Sequence, residues 1–545
     1  MRRLLILAVV IGAGFCPLRG TAATDDTIAW RNSGLIARVH FEGTERIFGD
    51  PTAVRLNAIA ALPESAALRE QTFQKLAFAP YNFLRNHTAI ANNEATLIRP
   101  LLDDLFRGES FLEVMDGTNE VPELALALRL DDNRARLWSA NLAAVLAAWT
   151  AIPVTPVRDQ NYDGWELRKH ENPNVFRFFR AGNWIVLGWG QDRLRLVPAL
   201  LAQIRATTRP VDADSRNWLD AWIDWPALAR HHLGPESVQL PAMRLQMQGR
   251  KDYVRSELNM TFSSPLGIRL APWRIPTNII RNPIVSFMAT RGLAPLLNKT
   301  ATAEEHHLPQ LPDQVYIWSL GTSPLQTYWV AQVTDASKYF DQIRPGLIGL
   351  VNSILFNQGP KTPATGRGAP LSFQAAYTNN EIEISGMPFL NPRLGVYRNA
   401  DGQYLLGGLI PWAKNREPLP ADLEREVMAH PDLVYYGWEY TPERLRQWYG
   451  LFQIGQIMLN LGLSDTKAPA HKWIEAIMPK LGTAGTEVSL TAPNKLTVLR
   501  NSTISFSGFE LSALAYWLDS PRFPLGAYSE ADRHGFVPHT PPRKP

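Results

Sequence analysis

Carboxylates set among tryptophans are the residues of this chain whose types and spacing could do chemistry. Glu166 follows Trp165, Asp220 and Asp224 interleave with Trp218, Trp222 and Trp225, and Glu439 follows Trp438. Indole faces stack on sugar rings, and glycoside hydrolysis needs two carboxyl groups several ångström apart, one as acid and one as base or nucleophile. Glu166, Asp224 and Glu439 are therefore the candidate catalytic residues of a carbohydrate-active hydrolase, with Trp165, Trp222 and Trp438 as candidate binding residues. Strand alternation argues the other way. Neighbours in a strand point to opposite faces, so Trp438 and Glu439 do not share one cleft, and packing of the tryptophans in a core is the favoured reading.

Other chemistries leave weaker traces. His306 and His307 follow Glu304 and Glu305, a run that could adapt to a metal in a loop, but no H-E-x-x-H spacing accompanies it. Ser464 and Lys467 form a Ser-x-x-Lys without the companion motifs of penicillin-binding proteins, and G-x-S-x-G is missing. Neither phosphate-binding glycine motif occurs, so no nucleotide and no other cofactor is expected. With 55 Lys plus Arg against 51 Asp plus Glu in 545 residues, no basic excess points to nucleic acid.

The first residues explain part of that small excess. Arg2 and Arg3 precede an apolar run from Leu4 to Phe15, and Thr21, Ala22 and Ala23 follow, the pattern of a secretory signal cleaved near Ala23. Cleavage there removes Arg2, Arg3, Arg19 and Cys16, leaving 52 basic against 51 acidic residues and no cysteine. Acylation of Cys16 is disfavoured by the bulky Phe15 before it. No later segment reaches the roughly 20 apolar residues of a membrane-spanning helix. The expected location is periplasmic or extracellular, with packing alone holding the chain together.

The elements that must position any site follow from periodicity. Leu35, Ala37, Val39 and Phe41 alternate as a strand within 28–42, and helical faces follow through Val54 to Leu62, Leu68 to Leu76, and Leu97 to Leu105. From about Phe111 a strand followed by a long helix occurs twice. Leu124 to Leu130 with a helix opened by Asp131 matches Tyr328 to Val333 with one opened by Asp335, an offset of about 203. Trp222 with Pro226 matches Trp438 with Pro442, and late hairpins match at Phe262 and Phe506. The expected fold is α+β, two tandem pseudo-repeated units of largely antiparallel sheet with long packing helices. The expected division is signal peptide 1–23, a strand and helical segment 24–110, a first repeat 111–270, a second repeat 271–520 and a polar tail 521–545.

The stretch "VHFEGTERIFGDPTAVRLNAIAALPESAALREQTFQKLAFAPYNFL" resembles the N-terminus of uncharacterised exported proteins of verrucomicrobial and planctomycete-type bacteria. The Trp-containing strands "DAWIDWPAL" and "YYGWEYTPERL" look like those of a broader class of exported bacterial proteins of unknown function. The resemblance implies fold and compartment and carries over no catalytic residue. The sequence therefore points to an exported, envelope-associated binding or scaffolding protein without catalytic activity, its partner an envelope protein or polysaccharide. Two alternatives stand beside it: the hydrolase using paired carboxylates, and a protein binding a lipid or other apolar ligand.

Overall fold

The computed structural model describes residues 34–84, 94–116, 121–159, 162–168, 173–211, 216–230, 240–294, 312–321, 326–345, 374–378, 380–385, 391–400, 402–410, 417–458, 467–520 and 523–524. The expected signal peptide, His306, His307 and Ser464 lie outside them. The chain divides into two compact units. One comprises Met1–Ser263, Leu461–Leu481 and Val498–Pro545, and the other Ser264–Asn460 and Gly482–Thr497.

The first unit is a mixed α+β structure on an antiparallel sheet. Its strands are β1 (Leu35–Phe41), β2 (Ser110–Met115), β3 (Glu123–Arg129), β4 (Thr155–Asp159), β5 (Tyr162–Arg168), β6 (Asn174–Ala181), β7 (Trp184–Gln191), β8 (Leu219–Asp224), β9 (Ala242–Arg250) and β10 (Tyr253–Thr261). They pair in the order β4-β5-β6-β7-β3-β2-β1-β8-β9-β10, every pair antiparallel.

Among the described residues seven helices lie between these strands: α1 (Thr44–Gly49), α2 (Val54–Ala60), α3 (Pro63–Leu84), α4 (Glu94–Arg107), α5 (Asp132–Thr150), α6 (Leu196–Thr207) and α7 (Trp225–Arg230). Asp131 starts α5 by accepting the backbone N–H groups of Asn133 and Arg134 at 2.8 and 2.9 Å, as a helix cap should. Both faces of the sheet are covered. Leu196, Val197, Leu200, Leu201 and Ile204 of α6 pack on Phe111, Val186 and Trp222, while Ala135, Trp138 and Leu146 of α5 pack on Leu128, Ile185 and Leu187. Each fully buried Leu or Ile contributes on the order of 2 kcal/mol, so these layers carry the stability of the unit.

The second unit is likewise α+β. Its strands are β11 (Ile284–Arg291), β12 (Gln314–Leu320), β13 (Thr327–Val333), β14 (Gln374–Tyr377), β15 (Glu381–Ser385), β16 (Arg393–Asn399), β17 (Gly402–Gly408), β18 (Leu433–Tyr440) and β19 (Thr483–Ala492). They pair antiparallel in the order β14-β15-β16-β17-β13-β12-β11-β18-β19. Helix α8 (Ala421–Met428) sets Leu423 and Val427 against Phe287, Tyr316, Val330 and Tyr436. Phe340, in a helical stretch at 336–345, packs with Ile382 and Leu405 in a separate cluster. Helix α9 (Thr441–Met458) follows β18. Two further helices, α10 (Pro469–Ile477) and α11 (Gly508–Asp519), belong to the segments that complete the first unit. Ser507 and Glu510 form a reciprocal capping box at the start of α11. Among the described residues no helix is long and apolar enough to cross a membrane.

Candidate functional site

In the first unit a charged cluster lies buried where β1 leaves the sheet. His40 and Glu42 sit two residues apart and so share a face of the strand, and the antiparallel register places His40 opposite Phe111 and Phe41 opposite Ser110. Extending that register by one residue sets Glu42 beside Glu109. The chain turns here at Gly43, whose φ of 82° favours glycine and where a Cβ would lie 2.2 Å from the Arg107 carbonyl oxygen. That close approach holds the end of β1 against the start of β2. Two more bonds fix it: the Glu42 N–H donates to the Trp218 carbonyl at 2.9 Å, and Thr44 Oγ1 to the Phe106 carbonyl at 2.9 Å.

Like charges placed opposite each other in a sheet repel unless cations answer them. Arg46 Nη1 lies 2.7 Å from Glu42 Oε2, Arg129 Nη1 3.4 Å from Glu109 Oε2, and Arg209 donates to Glu109 Oε1 while standing 4.0 Å from Glu42 Oε1. His40 completes the set, with Nε2 3.3 Å from Glu109 Oε1 and 3.8 Å from Glu42 Oε1 and its ring stacked 4.2 Å from that of Phe111. Arg209 is delivered by the end of α6. Thr208 adopts the left-handed conformation with φ 64°, its N–H bonded to the Ile204 carbonyl, and the Trp184 indole donates to the Thr208 carbonyl at 3.0 Å.

The two carboxyls respond in opposite directions. Burial raises Glu42 above the usual carboxylate range, with repulsion from Glu109 adding to it and Arg46 pulling the other way. Burial also acts upward on Glu109, but hydrogen bonds from His40 and Arg209 and their charges outweigh it and hold that carboxyl down to about 2.

Two clefts adjoin the cluster. One, of about 710 Å³, is lined by Arg46, Arg129 and Arg209 with Tyr162, Asn183 and Trp184, and among the described residues no carboxylate lines it. The other, of about 610 Å³, shares Arg46, Arg129 and Asn183 but is lined also by Glu42, Glu45, Glu109, Asp131 and Asp132. A basic and an acidic recess therefore meet at two half-exposed arginines.

The residues expected from sequence are placed elsewhere. Glu166, on β5, accepts from Arg177 at 3.1 Å and Arg168 at 3.4 Å. Asp224 is buried and accepts the Ala227 N–H at 3.1 Å, capping α7. Glu439 stands on β18 of the second unit, opposite Ser286. Trp165 is buried, stacks on Phe178 at 5.2 Å and donates to Ser139 Oγ. Trp222 is 1% exposed inside the first core, and Trp438 packs against the second. His40, Glu42 and Glu109 were missed by motif and composition, although the i, i+2 spacing of His40 and Glu42 in a strand was the signal that put them on one face.

No family model matches the chain, and no curated protein does. Among solved structures, crystal form IV of TP0453 matches at 10% identity over 42% of this chain and 77% of that one, with a TM-score of 0.22. Crystal form III of the same protein matches at 10% identity over 52% and 88%, with a TM-score of 0.23. A likeness that shallow carries no argument about fold or activity.

Proposed function

We propose that the chain is an exported, envelope-associated binding protein without catalytic activity, and that the first unit binds an acidic polysaccharide through the cleft lined by Arg46, Arg129 and Arg209. The observation that carries this reading is that cleft: three guanidiniums and an aromatic flank, Tyr162 and Trp184, with no carboxylate among the described residues that line it. Guanidiniums recognise carboxylate and phosphate groups in pairs of parallel hydrogen bonds, and Arg46 and Arg129 keep 51% and 58% of their side chains exposed for it. The hydrolase alternative draws less support, because Glu166 is held by two arginines and Asp224 by a helix start.

We also take the two units to be copies of one ancestral unit. The support is their pairing order: β1 through β9 and β11 through β19 follow the same sequence of neighbours, and Arg38 lies opposite Trp222 as Phe287 lies opposite Trp438. Carrying that register along, His40 corresponds to Ala289, Glu42 to Arg291, and Glu109 to Gln314. Arg291 is satisfied by the carbonyls of Leu433, Ala271 and Pro431 and stacks 4.3 Å from Trp273. The fold is thus built at those positions without a buried acidic pair, so the charged set is a specialisation of the first unit.

Calorimetric titration of the mature chain with an acidic oligosaccharide and its neutral counterpart tests the reading. The acidic form binds, binding weakens as salt rises, and Arg129→Ala weakens it at least tenfold, since a hydrogen bond to a charged group is worth about 1.5–3 kcal/mol. Equal binding of both oligosaccharides, or an Arg129→Ala chain that binds as well as the parent, would refute it.

A further inference from the structure

His40, Glu42 and Glu109 bring one imidazole nitrogen and two carboxylate oxygens within 4.8 Å of one another, all three side chains buried. The separations of His40 Nε2 from the two carboxylates, 3.3 and 3.8 Å, are those of a coordination shell. Donors around a tetrahedral zinc at about 2.0–2.1 Å stand roughly 3.4 Å apart.

Glu42 supplies the second observation. Its side chain is 1% exposed, and among the described residues neither carboxylate oxygen receives a hydrogen bond; Arg46 meets Oε2 at 2.7 Å as an ion contact, and the basic nitrogens that approach Oε1 are those of His40 at 3.8 Å and Arg209 at 4.0 Å. Arg46 answers Oε2 alone, so Oε1 is left inside the protein without a donor or a close cation among the described residues, which is costly. The corresponding position of the second unit holds Arg291, so the fold does not require an acid there. Arg209, on the residue after the α6 cap and with 34% of its side chain exposed, donates to Glu109 Oε1 and stands 4.0 Å from Glu42 Oε1, so its charge answers the same two carboxylates.

We propose that His40, Glu42 and Glu109 bind a divalent transition cation of the zinc class, in exchange for the Arg209 guanidinium. Imidazole with two carboxylates suits zinc and its first-row neighbours better than calcium or magnesium, which take oxygen donors. Glu42 and Glu109 also line the acidic cleft, which gives a cation a route to them. The proposal rests on this geometry and not on the acidic-polysaccharide reading.

Titrating the chelator-stripped full chain with zinc against a competing chromophoric chelator tests it. One zinc binds per chain, with proton release. His40→Ala weakens binding about 100-fold or more, exceeding the 10–100-fold typical of groups behind the ligands, and Glu42→Gln at least tenfold. Arg209→Ala binds zinc more tightly than the parent while binding the acidic oligosaccharide less well, which separates the two readings. The His471–Glu475 pair on α10, 3.3 Å apart, is a competing His–carboxylate pair among the described residues, and the His40→Ala chain leaves it intact. Should His40→Ala fail to fold by circular dichroism, Glu42→Gln decides, because it removes a charge whose burial is unfavourable. Zinc uptake unchanged in Glu42→Gln, absent from the parent, or not increased by Arg209→Ala overturns the proposal.

Discussion

Glu109→Gln isolates the charge that the first unit organises around. The wild-type carboxyl titrates at about 2 when folded, against 4.5 for the ordinary carboxyl, because His40 and Arg209 hydrogen-bond its anion. A folded value below the unfolded one means that the stabilisation is fully present above pH 4.5 and is lost as pH falls from there to about 2. At 1.36 kcal/mol per unit, the difference corresponds to about 3 kcal/mol at neutral pH. Glu42 has the opposite sign. Its raised value gives a contribution that is present at low pH and disappears as pH rises through the folded value, so the wild-type profile is a partial cancellation. Because repulsion from Glu109 is part of what raises Glu42, Glu109→Gln also relieves Glu42, and that relief offsets part of the loss. Urea titrations in the presence of a chelator, read by pulse hydrogen exchange on peptides from β1 and β2, measure the first unit alone. The variant is less stable at pH 7 by up to about 3 kcal/mol, reduced by the relief of Glu42, and the gap closes to under about 1 kcal/mol near pH 2. A gap that stays constant across that range, or one below about 0.5 kcal/mol at pH 7, would show that the Glu109 charge is not what the arginines and His40 stabilise.

Two further substitutions check the scaffold. Gly43→Ala places a methyl 2.2 Å from the Arg107 carbonyl at a φ of 82°, and should destabilise the first unit by about 3 kcal/mol or more in the same urea assay, with loss of the high-affinity zinc site. Trp222→Ala should cost about 3–5 kcal/mol as a core truncation, while the affinity of the folded chain for the acidic oligosaccharide is unchanged; a selective loss of binding at unchanged stability would return Trp222 to the list of ligand contacts.

The secondary structure was legible where periodicity is strong. The alternation of Leu35, Ala37, Val39 and Phe41 marks a strand that runs Leu35–Phe41, and the Leu97 to Leu105 face marks a helix that runs Glu94–Arg107. The alternation did not show which face is buried. His40 and Glu42 are 3% and 2% exposed while Val39 and Phe41 are half-buried. The reason is tertiary: α6 and the Arg209 segment cover the side of the strand that carries the charges. Glu109 lies 69 residues from His40, and only cross-strand register joins them. The tryptophan-flanked acids illustrate the converse. Glu166 and Asp224 are conspicuous in sequence, but a strand pairs the first with arginines and a helix start uses the second, neither of which spacing along the chain could show.

The first unit is assembled from both ends of the described chain. Trp473 on α10 donates to Ser65 at the start of α3 at 3.0 Å, and Lys75 on α3 donates to the Leu518 and Ser520 carbonyls at the end of α11. During synthesis the part up to Ser263 emerges first, and its remaining pieces begin only at Leu461. Roughly 200 residues must be made in between, on the order of 10–40 s at 5–20 residues per second. The second unit lacks only Gly482–Thr497 when that stretch is complete. The unit that is begun first is therefore closed last, and for that interval its α3 surface stands open to any chaperone that can cover it.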